Sequence, residues 1–250
     1  LLATINRECR EAQFLLLTPF IDNAREVARW LGGQGSDDIS IGVDWQPNDR
    51  AIGIVRPVDA GAKKGRSRDY KLIFETVHTT RPRIQLDDDF PLGKDEALAA
   101  SLSTAKDVGT LAAIAARKLS MRGTVIAMHS RPDYVWKLAK RSVCDRGDVL
   151  PDEVQFVQRY VAAELGAQFP LVDLLAHRVG VHHGGLPEEV RMLMEWLCEN
   201  GHLDTLAATT TLAQGVNFPV SGVVMAATQY AFGQEMSPED FWNIAGRAGR

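Results

Sequence analysis

The sequence predicts an α/β protein built on a mostly parallel β-sheet flanked by helices. Short apolar runs of strand length alternate along the chain with amphipathic helical stretches. The composition, 45% hydrophobic and 24% charged over 250 residues, is ordinary for a globular protein and ample for a core without disulfide or metal staples. No apolar run approaches the ~20 residues needed to cross a bilayer, which excludes a membrane-spanning chain. The same composition excludes disordered, collagenous and low-complexity classes.

The elements follow in order. Gln13 to Pro19 holds four consecutive apolar residues and stops at a turn signal, as a buried strand does. Asn23 caps a helix with Val27, Ala28, Trp30 and Leu31 on one face, and Gly32-Gly33 ends it. Ala51 to Val55 reads as a strand, and Tyr70 to Val77 as another by β-propensity. Between them, residues 61–69 are polar, basic and glycine-containing, the best loop in the chain. A helix is expected over Asp107 to Leu119, a short buried strand over Thr124 to His129, and a helix over Arg131 to Arg141. Two more helical segments lie near 151–165 and 171–178. A strand-like stretch from Val179 leads into His182-His183-Gly184-Gly185. Pro187, Glu188 and Glu189 then open a helix whose apolar face is Val190, Leu193, Met194 and Leu197. Leu203 to Ala208 and Gly222 to Ala226 are strands. Ser237 and Asp240 form a capping-box pattern at the start of the last helix.

Net charge is −4, which argues against a small DNA-coating protein but not against a machine that grips nucleic acid through local groups. Cys9, Cys144 and Cys198 are odd in number and form no C-x-x-C pair, so they read as free thiols in a reducing, cytoplasmic setting. Leu1, with no charged leader behind it, reads as a cut end.

Two segments carry chemistry. Ala208 to Pro219 follows a strand and presents Thr209, Thr210, Thr211 and Gly215, where a parallel sheet places its ligand-binding loops. Hydroxyls and backbone N–H groups bind phosphate oxygens. The same composition also suits a self-satisfied Thr-rich turn. Asn243 to Arg250 sets Arg247 and Arg250 among Gly246 and Gly249. Glycine admits close approach of backbone to a ligand, and the arginine fork fits phosphate. A solvated Gly/Arg-rich terminus is the plain alternative.

Together the two segments resemble superfamily 2 DExH-box helicases, most nearly the superkiller-type branch. Ala208 to Pro219 looks like their motif V and Gly246 to Arg250 like their motif VI. His182 to Leu186 is similar to that branch's His-His-x-Gly-Leu element. Gly123 to Lys140, with Ser130-Arg131, resembles motif IV, and Gln13 to Gly33 the motif III region. The resemblance implies an ATP-driven helicase or translocase with two RecA-like domains and a nucleotide between them. Residues 1–60 would be the tail of the first RecA-like domain, 61–80 a linker and crossing strand, and 81–250 most of the second. Arg247 and Arg250 would contact ATP phosphates, Arg250 as the arginine finger. Gly215, Asn217 and Gly246 would lie beside the nucleotide. Thr209, Thr211 and Ser130 would hold the backbone of DNA or RNA without strong sequence preference.

The sequence also departs from that family. Thr18-Pro19-Phe20 stands where motif III usually reads Ser-Ala-Thr, and Asn243 where motif VI usually starts with Gln. No G-x-x-x-x-G-K-[ST] loop and no Asp-Glu-x-His occur in these residues. ATP and Mg²⁺ would therefore be held mainly by a part of the parent protein ahead of Leu1, and this chain alone would not hydrolyse ATP. A catalytically inactive, helicase-like nucleic-acid-binding or scaffolding module is the alternative reading. A self-contained α/β enzyme is disfavoured by the lack of a nucleophile elbow or dinucleotide fingerprint.

Other clusters read plainly. Adjacent His182 and His183 point to opposite faces of a strand, so no single metal takes both, and no metal site is expected. Asp87-Asp88-Asp89 reads as a solvated loop. Trp30, Trp136 and Trp196 sit in amphipathic helices and read as core or domain-contact residues.

Overall fold

The computed structural model describes residues 2–9, 26–27, 29–30, 50–59, 70–79, 89–91, 108–144, 147, 149–213, 220–230, 233–246 and 248. The chain divides into two compact units, Leu1–Gln46 and Pro47–Arg250. In the first, α1 spans Leu2–Glu8 and residues 26–27 and 29–30 are helical. The expected strand at 13–19 lies outside the described residues.

The larger unit is organised by four parallel strands: β4 (Val125–Met128), β5 (Val179–His182), β6 (Thr205–Ala208) and β7 (Gly222–Met225). Their order in the sheet is β5-β6-β4-β7. Every residue of β4, β5 and β6 is buried, as expected of parallel strands covered on both faces. Edge strand β7 is half-buried throughout. From β4 the chain crosses to β5 at one edge, returns to β6, and passes to β7 at the other edge.

Helices cover this sheet. Val108–Leu119 (α2) packs on β4 and β7, and Pro132–Ser142 (α3) packs on β5 and β6. Asp152–Leu165 (α4) packs on Pro170–Ala176 (α5), which meets β5. Glu188–Glu199 (α6) also covers β5, burying Val190, Met194 and Leu197 at the expected helical spacing. Pro238–Ala245 (α7) closes the set, and the N-cap half of its expected capping box forms: Asp240 N–H donates to Ser237 Oγ at 3.1 Å.

Close packing explains one glycine. A Cβ on Gly180 in β5 would lie 2.7 Å from Leu203 Cδ1 and 3.0 Å from Leu206 Cδ1. The backbone of β5 is thus pressed onto leucines at 1% and 0% exposure.

The parallel sheet agrees with the expected fold class. A second sheet is antiparallel, which the alternation rule did not foresee. It joins β1 (Ala51–Asp59), β2 (Tyr70–Thr79) and β3 (Asp89–Pro91) in that order. Strands β1 and β2 pair along their whole length, with a bulge at Ile52/Gly53. Leu72 anchors this sheet to α2 through Ile114 and Ala115, with Val55, Leu111 and Val224 around them.

Candidate site at the carboxyl edge of the parallel sheet

Ligands of parallel α/β sheets bind outside the carboxyl ends of the strands. Here all four strands end level. Met128 is in register with Ala208 and Met225, and His182 with Ala208. The ladder runs one residue further: His129 N–H donates to Ala208 O at 3.0 Å, Thr209 N–H to His182 O at 3.1 Å, and Ala226 N–H to Met128 O at 2.9 Å. One edge of the sheet therefore gathers His129-Ser130, His182-His183 and Thr209.

Thr209 and Ser130, two of the sequence-predicted backbone contacts, are thereby neighbours on adjacent strands. Thr209 is 5% exposed and Ser130 is half-buried. The Ser130 N–H donates to His129 Nδ1 at 2.9 Å, which turns the ring back over its own turn. Thr211 lies in a short 3-10 turn, Thr210–Ala213, whose side-chain detail at 211 is outside the described residues.

The two histidines go to different helices, as alternation along a strand requires. His182 Nε2 lies 2.8 Å from Glu195 Oε1 on α6. The His183 ring meets Trp136 of α3 edge-on at 5.8 Å between centroids, and its Nδ1 accepts from Gly185 N–H at 3.0 Å. Burial lowers the pKa of His182 against the opposing pull of Glu195. Burial and the neighbouring His182 lower that of His183. Both rings are therefore neutral near pH 7, with His182 Nε2–H donating to the carboxylate. Among the described residues no three His, Cys, Asp or Glu side chains gather to hold a metal.

Gly215, Asn217, Arg247, Arg250 and Gly249 lie outside the described residues. Their neighbours are placed. Val220 pairs in parallel with Ala248, and the Thr210–Ala213 turn packs on α7. Val220 and Ala248 thus tie the threonine-rich and arginine segments together at one described point. Gly246 is buried at the end of α7: a Cβ there would lie 2.7 Å from Trp242 O. Arg50 Nη1 comes within 3.9 Å of the same point.

Sequence reasoning missed three members of this region. Glu195 carried no signal, because its 13-residue separation from His182 follows no local periodicity. Arg50 precedes β1, far away in sequence. Tyr134, stacked on His129 at 4.5 Å, could have been found as an aromatic on the polar face of α3. The tryptophans divide: Trp136 is half-buried, but Trp30 is 55% and Trp196 42% exposed, so neither of the last two is core.

Residues 153–250 match the family model of the helicase conserved C-terminal domain. Over 249 residues the chain is 28% identical to Hachiman protein HamB of Bacillus cereus, covering 95% of this chain and 21% of HamB. It is 39% identical over 85 residues to the DExH-box ATP-dependent RNA helicase DExH12 of Arabidopsis thaliana, covering 32% of this chain and 4% of the relative. Antiviral helicase SKI2 of Saccharomyces cerevisiae is 40% identical over 81 residues, covering 31% of this chain and 6% of SKI2. A crystal structure of the DUF1998 helicase MrfA bound to DNA overlaps 57% of this chain and 15% of its own, at 19% identity and a TM-score of 0.37. The chain spans about a fifth of HamB and far less of the eukaryotic helicases. Through the helicase C-terminal match over residues 153–250 and these relatives, the chain is helicase-related.

Proposed function

We propose that this chain is the part of an ATP-dependent helicase or translocase that supplies the arginine finger and the nucleic-acid backbone contacts. The domain division proposed with it gives residues 1–60 to the end of one RecA-like domain and 81–250 to most of the next. Arg250 is the finger, Arg247 a second phosphate contact, and Gly215, Asn217 and Gly246 flank the nucleotide. Thr209, Thr211 and Ser130 hold phosphates of DNA or RNA.

One observation carries the reading. A parallel bridge between Val220 and Ala248 ties the residue that follows the threonine-rich segment to a residue within the Gly/Arg-rich segment. The bridge supports the reading by linking, through two described residues, segments that the sequence offers independently as phosphate-binding.

The division of labour follows from charge. ATP supplies the phosphoryl transfer that drives movement, and the arginines balance charge growing on the transferred group. The reading assigns the main grip on ATP and Mg²⁺ to a preceding part of the parent protein, which would carry the phosphate loop and the Asp-Glu-x-His. Hydroxyls at Ser130 and Thr209 touch phosphate rather than base, which suits stepping along any sequence.

In the intact protein, Arg250→Ala is expected to lower kcat for ATP hydrolysis by about 10³-fold or more while ATP still binds. An unchanged kcat would remove Arg250 from the reading. The alternative, a helicase-like module without catalysis, is favoured by Thr18-Pro19-Phe20 in place of Ser-Ala-Thr. It predicts nucleic-acid binding with no ATP turnover in the intact protein.

A further inference from the structure

Residues 131–142 hold four cations, Arg131, Lys137, Lys140 and Arg141, against one acid, Asp133, in a chain whose net charge is −4. Tyr134, Lys137 and Arg141 fall at i, i+3 and i+7 on α3, so they form one exposed stripe. The stripe starts at Ser130, on the carboxyl edge of the sheet.

Its geometry is built around an aromatic ring. Tyr134 is 39% exposed and stacks on His129 with centroids 4.5 Å apart and planes 25° from parallel. The Arg131 guanidinium carbon lies 5.3 Å from the Tyr134 centroid and Lys137 Nζ lies 5.0 Å from it. Both cations are within cation–π range of one ring. Arg131 is further held by Asp133, which accepts from Nε at 2.9 Å and Nη2 at 3.3 Å. That pairing uses one side of the guanidinium fork, and among the described residues no acceptor takes its outer N–H groups. Lys137 has no carboxylate partner among the described residues.

We infer that this stripe is a second nucleic-acid contact, in which Arg131 and Lys137 take phosphates of the strand and Tyr134 is the positioning residue that holds the two cations ready. The inference rests on the proposed nucleic-acid function and extends it from the sheet edge onto α3. Long cationic side chains lose up to ~2 kcal/mol of rotamer freedom when fixed. Here the Tyr134 ring and Asp133 have fixed them before any strand arrives. Ser130 and the two cations then offer consecutive phosphates a hydroxyl and two charges on one continuous face. The exposed lysines also favour a polyanion over a protein partner, since lysine is depleted in protein–protein interfaces.

The test measures binding of labelled oligothymidylate and oligouridylate to the intact protein by fluorescence anisotropy across a salt series. Lys137→Ala, Tyr134→Ala and Tyr134→Phe are compared with wild type after thermal melts confirm folding. Each phosphate contact on a single strand adds ~0.7 to the salt slope, equivalent to about fivefold in affinity at 0.1 M salt. Lys137→Ala and Tyr134→Ala are each expected to weaken both oligomers about fivefold and flatten the slope by ~0.7. Tyr134→Phe keeps the ring and should bind as wild type does, which a contact through the hydroxyl would not allow. Wild-type binding that neither alanine variant weakens overturns the inference and leaves the nucleic-acid reading standing. Failure of wild type to bind either oligomer, with or without ATP, overturns the reading itself. Lys137-dependent binding of polyglutamate without oligonucleotide binding would replace the strand with an acidic protein partner and overturn both.

Discussion

Glu195 accepts the hydrogen bond of a buried histidine at the sheet edge, and its removal is a sharp perturbation. His182 is 2% exposed, and its Nε2 lies 2.8 Å from Glu195 Oε1. Its other ring nitrogen, Nδ1, is buried with no hydrogen-bond partner among the described residues. Burial outweighs Glu195 in setting its pKa, so the ring is neutral and donates Nε2–H to the carboxylate. Glu195→Ala then orphans that N–H in an apolar surround, at about 1–3 kcal/mol. Glu195→Gln keeps an acceptor oxygen, and a neutral ring asks for nothing more, so its cost should be under ~1 kcal/mol. A charged ring would lose an ion pair in both variants and make them similar. The sign of the pH effect follows. With the folded pKa below the ordinary 6.5, the unfolded chain binds protons that the folded ring refuses. Stability is fully present above pH 6.5 and falls as pH drops toward the lowered folded value; His183 adds to the same trend. The assay is urea unfolding at about pH 7.5 and about pH 5.5. Equal losses for the alanine and glutamine variants at the higher pH, or a wild type more stable at the lower pH, would refute the neutral-ring argument.

Further outcomes follow from other parts of the molecule. Gly180→Ala forces a Cβ to 2.7 Å from Leu203 Cδ1 in a packed core and should cost about 1–3 kcal/mol by urea unfolding, with β5 the strand affected. Gly246→Ala pushes a methyl against Trp242 O, which shifts the arginine segment; kcat for ATP should fall about tenfold or more in the intact protein while strand affinity without nucleotide holds. Cys198 is fully buried, and burial, with Glu195 and Glu199 nearby, raises its pKa to about 12. A thiol reagent on native protein should therefore label exposed Cys9 and Cys144 and reach Cys198 only on unfolding. Labelling of Cys198 at the rate of the other two would contradict the packing of α6 on the sheet.

What was legible in the sequence follows physical range. Helix α6 was readable because its start chemistry, Pro187 to Glu189, and its apolar spacing are local. The N-cap of α7 spans only Ser237 to Asp240, and its Ser237 Oγ accepts from Asp240 N–H as expected, while the Asp240 carboxylate takes the Ser237 hydroxyl and not its backbone N–H. The strand runs at 125–128 and 205–208 were legible as apolar segments, since parallel strands are buried on both faces. Pairing was not legible. Nothing in Ala51 to Val55 says that it lies antiparallel to Tyr70 to Thr79, because strand partnership is a long-range choice. The sheet-edge cluster was half legible. Ser130 and Thr209 were named from their segments, and the strand register supplied their adjacency. Glu195 was invisible as a site member because its role depends on how α6 packs against the sheet, whereas Tyr134 left a local trace as an aromatic on the polar face of α3.

The central claim divides the work between two groups of residues, and one experiment separates them: ATP hydrolysis by the intact protein measured against strand concentration for wild type, Thr209→Val and Arg250→Ala. Wild type should be stimulated by the strand. Thr209→Val should raise the strand concentration for half-stimulation about tenfold with kcat at saturation little changed, as loss of a hydrogen bond to a charged phosphate implies. Arg250→Ala should lower kcat with half-stimulation unchanged. Hydrolysis by wild type that no DNA or RNA strand alters, or a fall in kcat for Thr209→Val with Arg250→Ala unaffected, would contradict the account.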